Sequence, residues 1–136
     1  MTTSPPSSLP DVELVVIDWL KNTASAPWTT VDRVPPSGFD GTQAVVLVSR
    51  MGGAWIDTTY EDVPIIQLEC YGSTKLIAMT VAMAARARLL AIDGFVDGGA
   101  TVVMVTECDG PRWLPDYLHN GANRYVSMTQ LNLRMA

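Results

Sequence analysis

Histidine is almost missing from this chain: His119 is the single one in 136 residues, and there are two cysteines, Cys70 and Cys108. A histidine-based dyad or triad could use only His119, which sits in the turn-like segment Asp116-Tyr-Leu-His-Asn-Gly. Each cysteine lies inside an apolar strand-like run, where a thiol is inert, so both read as small buried hydrophobes. Charge is scarce too, at 17% of residues against roughly 25% in an average soluble domain. A lone molecule needs a polar coat, and this shortfall points to a surface partly covered by protein. The 9 basic residues are dispersed among 14 acidic ones for a formal net charge of −5, which argues against gripping DNA phosphates through clustered cations. No apolar run approaches the roughly 20 residues that span a bilayer, and residues 76–85 are followed at once by Arg86 and Arg88. The opening Met-Thr-Thr-Ser-Pro-Pro-Ser-Ser has neither the basic start nor the apolar stretch of a secretory signal.

Recognisable chemistry is thin as well. Met51-Gly-Gly and Gly98-Gly99 lack the Gly-Lys-Ser/Thr ending and the following helix of a phosphate loop. Asp57, Glu61 and Asp62 lack the regular alternation of a calcium loop. Glu69 and Glu107 each precede a cysteine in a strand-like run. A small hydrolase or ligand-binding domain built on that carboxylate pair is the alternative from a different functional class. No cofactor, metal or catalytic residue is expected.

What is present is a strongly specified scaffold. Residues 63–71 alternate Ile66, Leu68 and Cys70 against Gln67 and Glu69, a strand pattern. Within two residues the pattern turns to a long, Ala-rich helix over residues 74–91, capped by Ser73 and ended by Asp93-Gly94. Leu76, Thr80, Met83, Ala84, Ala87 and Leu90 mark one face of that helix, and Ile77, Val81, Ala85 and Ile92 another. Ser8 and Asp11 have capping-box spacing for a first helix that runs to Lys21. Its apolar stripe of Val12, Val16, Trp19 and Leu20 is widened by Leu14, Val15 and Ile17, so it is covered on more than one side. Residues 43–50 form a strand that pairs with residues 64–71 as a hairpin with a long glycine-containing tip. Further strands follow over residues 100–108 and 124–134, separated by Asp109-Gly-Pro-Arg-Trp-Leu-Pro-Asp, whose prolines resist a central strand. The expectation is an α+β fold in the order α-β-β-α-β-β, a mostly antiparallel sheet of about four strands packed by two helices. Residues 1–8 read as a flexible arm and residues 9–136 as one domain.

The candidate functional residues are surface anchors. Trp55, Ile56 and Tyr60 occupy the hairpin tip, and Arg112 and Trp113 the Pro-flanked loop, places with no evident reason for burial within one chain. Trp113 could instead fold back over the sheet. Arg86 and Arg88 emerge late in an apolar helix. Acidic groups on a neighbouring subunit are the preferred partners, with an internal salt bridge or the helix dipole as the alternative.

Several of these segments together resemble one family. They are the capped first helix, the strand ending Gln67-Leu-Glu-Cys-Tyr-Gly-Ser, the Ala-rich helix ending near Arg86-Ala-Arg-Leu-Leu, and Gly110-Pro-Arg-Trp-Leu-Pro-Asp with Arg124-Tyr-Val-Ser-Met-Thr. Over residues 9–134 the chain is similar to the tail terminator (tail-completion, head-tail joining) proteins of long-tailed phages, those of actinobacteria in particular. The resemblance implies a structural virion protein with no enzymatic activity, assembled in the host cytoplasm. It implies a homo-hexameric ring that caps the head-proximal end of the tail tube and stops its polymerisation. Partners would be other copies, the major tail tube protein and head-tail connector proteins, with DNA passing through unbound and no membrane involved. A head-closure or other neck protein of the same junction is the nearby alternative.

Overall fold

The computed structural model describes residues 6–135. Two helices, α1 (Val12–Lys21) and α2 (Lys75–Leu89), lie on one face of a six-stranded sheet. Its strands are β1 (Thr30–Asp32), β2 (Val45–Ile56), β3 (Glu61–Gly72), β4 (Val96–Asp97), β5 (Ala100–Trp113) and β6 (Asn123–Met135), in spatial order β1-β2-β3-β6-β5-β4. Every pair is antiparallel except β1 and β2, which run parallel.

The α+β class stands, but the expected four-stranded, mostly antiparallel sheet is replaced by a six-stranded mixed one. The two additional strands sit at the sheet edges. They are three and two residues long, too short to carry an alternation that a sequence pattern could register. A parallel pair needs a crossover of a dozen or more residues, and the connection over residues 33–44 supplies it. Phe39 in that connection packs on Val45, Leu47 and Tyr71 on the helix-free face and covers one end of it.

The long strands also exceed their expected bounds. β2 and β3 stay paired past a bulge between Arg50 and Gly53, so most of residues 51–62 is hairpin and residues 57–60 are the turn. β5 runs on to Trp113 through three bulges and contains Pro111. Proline is tolerated there because β4 covers only Ala100 and Thr101, leaving the outer side of β5 as a free edge. Exposure of Cys108 follows from the same edge position and corrects its reading as buried, whereas Cys70 is buried as expected.

The core lies between helices and sheet. Val46 and Val48, then Ile66, Leu68 and Cys70, then Tyr125, Leu131 and Leu133 point toward the helices, with Ser127 and Thr129 on the same buried row. From above they meet Val12, Val16 and Leu20 of α1 and Ala78, Val81, Ala82, Ala85 and Leu89 of α2. The small residues let α2 approach the sheet closely, while Leu76, Ile77 and Met83 face outward. Asp11, one turn after Ser8, is the true cap of α1, and its carboxylate accepts the Leu14 N–H at 3.2 Å. Thr74 rather than Ser73 caps α2, accepting from Ile77 N–H at 3.1 Å. Gly72 permits the tight strand-to-helix turn, since a Cβ there would meet the backbone N of Ala78 at 2.5 Å.

Candidate functional site

The chain has two differently built ends. At one, the β2–β3 hairpin carries the turn of residues 57–60. At the other, residues 114–122 join β5 to β6 beside the start of α2.

The hairpin is held rigidly by buried acids. Arg50 places Nη1 and Nη2 each 2.7 Å from the two carboxylate oxygens of Asp62, whose side chain is 0% exposed. The Arg50 backbone N–H donates to Glu13 Oε2 at 2.9 Å, which ties the hairpin base to α1. On the helix-free face Glu61 accepts from Asn132 Nδ2 at 3.2 Å and Arg134 Nη2 at 2.9 Å. Its pKa is lowered, chiefly by the Asn132 hydrogen bond, with Arg134 assisting against burial. Gly52 and Gly53, at φ +93° and +109°, form the bulge that a side chain would oppose. At the tip Trp55 and Tyr60 meet edge to face with ring centroids 4.7 Å apart. Tyr60 holds a left-handed backbone at φ 55°. Met51, Ile56 and Tyr60 are exposed there.

The opposite end is organised around Asp116, a buried carboxylate. Its Oδ2 accepts from the Tyr71 hydroxyl at 2.7 Å and lies 2.7 Å from His119 Nδ1, while Oδ1 accepts the Leu118 N–H at 3.1 Å. Burial raises the Asp116 pKa, but these bonds and the nearby Arg124 charge outweigh it, so the net displacement is downward. Arg124 spans the same region, donating from Nε to the Leu114 carbonyl at 2.8 Å and from Nη1 to Glu69 at 2.9 Å. On this frame Leu114, Tyr117 and Leu118 are presented to water, with Tyr117 83% and Leu118 94% exposed. Trp113 lies alongside, half open, with the Lys75 ammonium 3.9 Å above its ring centroid, and Leu76 of α2 is exposed nearby in sequence.

The sequence candidates divide between these places. Trp55, Ile56 and Tyr60 share the hairpin end, and Arg112 and Trp113 close β5 near the other. Arg112 pairs with Asp109 at 2.8 Å. Arg86 and Arg88 belong to neither end, and both guanidinium groups have partners within the chain. Arg86 makes a two-pronged pair with Glu107, and Arg88 lies 3.6 Å over the Trp19 ring while donating to Thr23 Oγ1 at 3.1 Å. Tyr117 and Leu118 went unmarked in the sequence. The available signal was two large apolar residues in a segment bounded by Pro115 and Asn120-Gly121, where no element could bury them.

The carboxylate-pair alternative loses its geometry. Glu107 faces α2, where it meets Arg86, whereas Glu69 lies on the helix-free face with Arg124 and Tyr71. The sheet therefore separates them. Burial pushes the Cys70 thiol up to about 12, so it is no nucleophile. Among the described residues no group of three or more His, Cys, Asp or Glu could hold a metal, and no helix is long and apolar enough to cross a membrane.

A chain of a virion particle shares this fold. It comes from a solved structure described as "Virion of native gene transfer agent (GTA) particle" and superposes with a TM-score of 0.68 at 16% identity. The match covers 90% of this chain and 93% of that one. At such identity the likeness is one of fold. No protein-family model and no curated protein matches the chain.

Proposed function

We propose that this protein is a structural component of a tailed virion particle, and specifically a tail terminator. Copies form a ring at the head-proximal end of the tail tube, stop its polymerisation and join the tail to the head connector. One observation carries the reading: the fold is shared along nearly the whole of both chains, not over a fragment, with a component of a virion particle.

Two physical features support it. Exposed apolar side chains are present at both ends of the chain, Met51, Ile56 and Tyr60 at one and Leu114, Tyr117 and Leu118 at the other. Two dissimilar patches on one molecule suit a head-to-tail contact, and such contacts close into rings when the rotation between copies allows. The second feature is charge. Six copies at a formal −5 each make a negative collar, past which DNA slides without being held. A ring role asks for surfaces rather than reactive groups, which accords with acids that are paired to arginines on opposite faces of the sheet.

Native mass spectrometry of the purified protein, with electron microscopy of tails assembled in its presence, tests the reading. A closed ring seated on the head-proximal tube end is expected. A protein that remains a single copy at all concentrations and is absent from assembled particles overturns it. A ring found on the connector side, away from the tube, replaces the terminator with a head-closure protein.

A further inference from the structure

The sheet ends at β1, and a cleft of about 430 Å³ lies against that strand. Lys21 and Thr23, at the end of α1, and Ala26 form one part of its wall, and residues 28–32 form the rest. Successive side chains of a strand point to opposite faces, so a cleft on one face of the sheet would touch every second residue. This cleft touches all three residues of β1, which places it along the backbone edge. β1 pairs with β2 alone, so one side of its main chain is left open to a further strand.

Two donors in the cleft are unspent. Lys21 is exposed and has no hydrogen-bond or ion-pair partner among the described residues. Trp28 is only 9% exposed, yet its indole Nε1–H also has no acceptor among them. That N–H is not sealed from water as Trp55 Nε1 is, and the cleft is where Trp28 meets water. The other polar groups are engaged. Thr23 Oγ1 accepts from Arg88 Nε at 3.1 Å, and Thr29 Oγ1 donates to the Ala44 carbonyl at 3.1 Å. Asp32, the one acid in the wall, accepts the Arg33 N–H at 2.7 Å. An ammonium and an indole N–H donate and cannot accept, so the pair calls for an acceptor, and a carboxylate answers both most strongly.

We infer that this cleft takes an extended segment of a partner protein, which adds to the edge of β1 and sets an acidic side chain against Lys21 and Trp28. The inference goes beyond the ring reading and does not depend on it. A free anion would answer the two donors but leave the strand edge open, so the acid arrives on a peptide. Main-chain bonds to an edge strand supply affinity, and the side chain that meets the cleft supplies selectivity.

Random octapeptides on beads test this, one library with a central glutamate fixed and one with a central lysine, offered to the labelled full-length protein. Retention by the glutamate beads and not by the lysine beads is expected. The best glutamate peptide is then measured in solution by fluorescence anisotropy. Lys21→Glu changes an exposed residue, so the thermal midpoint should hold while binding weakens by roughly tenfold or more. Trp28→Phe keeps a buried ring and removes the N–H, and should weaken binding by roughly threefold or more. Methylation of alternate main-chain amides in the peptide should abolish binding. Retention by neither library, or by both alike, overturns the inference, as does unchanged binding to Lys21→Glu. Equal binding of the methylated peptide, or of glutarate alone, overturns the extended segment in favour of a simple anion pocket.

Discussion

Arg50 stands where its loss leaves a naked charge. Asp62 is wholly buried, and both of its carboxylate oxygens are answered by that one guanidinium. Removing one partner of a buried pair costs more than the pair contributes, because the survivor keeps its desolvation penalty. Arg50→Ala is expected to lower stability by about 3 kcal/mol in urea denaturation. Arg50→Lys should lose less, keeping the charge but not the two-pronged geometry. At the other end, Asp116 supplies a pH signature. Its folded pKa lies below the usual carboxylate value of 3.8, so its stabilising contribution is complete above that value and fades as the pH falls through the folded one. Glu61, Glu107 and Asp11 are displaced the same way, which makes acid the weak side of the molecule. Stability measured from pH 6 down to 3 should fall less steeply in Asp116→Asn than in the wild type, from a lower starting value. Single residues were the least legible part of the sequence. The internal partners of Arg86 and Arg88 could not be named because Glu107 lies 21 positions from Arg86 and Thr23 lies 65 from Arg88, separations that only folding closes.

Elements read more clearly, because burial imposes a period on them. The alternation of Ile66, Leu68 and Cys70 was visible, and that row faces the helices. On α2 the apolar face marked by Leu76 and Met83 turns outward instead, and Ala78, Val81, Ala82, Ala85 and Leu89 are the buried ones. Strand length was not legible. Gly52-Gly53 and Pro111 are breakers in general, yet here the first builds a bulge and the second sits on an edge where its missing N–H has no partner to lose. The two glycines offer a controlled comparison. A Cβ on Gly53 would strike the Val63 carbonyl oxygen and approach Pro64 Cα to 2.6 Å, whereas one on Gly52 meets nothing within 4 Å. Both hold positive φ, so each alanine carries a backbone cost of about 1 kcal/mol, and only Gly53→Ala adds a clash. Thermal unfolding should therefore show Gly53→Ala well below Gly52→Ala, with the β2–β3 amides near the bulge losing hydrogen-exchange protection.

At the scale of the whole molecule, exposed apolar side chains stand at both ends of the chain and also elsewhere, as at Leu14, Met83, Val96 and Met104. Trp55→Glu together with Trp113→Glu places a charge at each end, and both residues are only partly buried. The double variant is expected to stay folded by circular dichroism and to fail to assemble by native mass spectrometry. Persistence of full-size assemblies would remove these tryptophans from any contact. The fastening of the hairpin reaches further than its local bonds. Asp62 grips Arg50, and the Arg50 backbone in turn grips Glu13 on the first helix. The strand that leaves the turn at residues 57–60 is thereby joined to the N-terminal helix through an unbroken run of three polar groups, Asp62, Arg50 and Glu13.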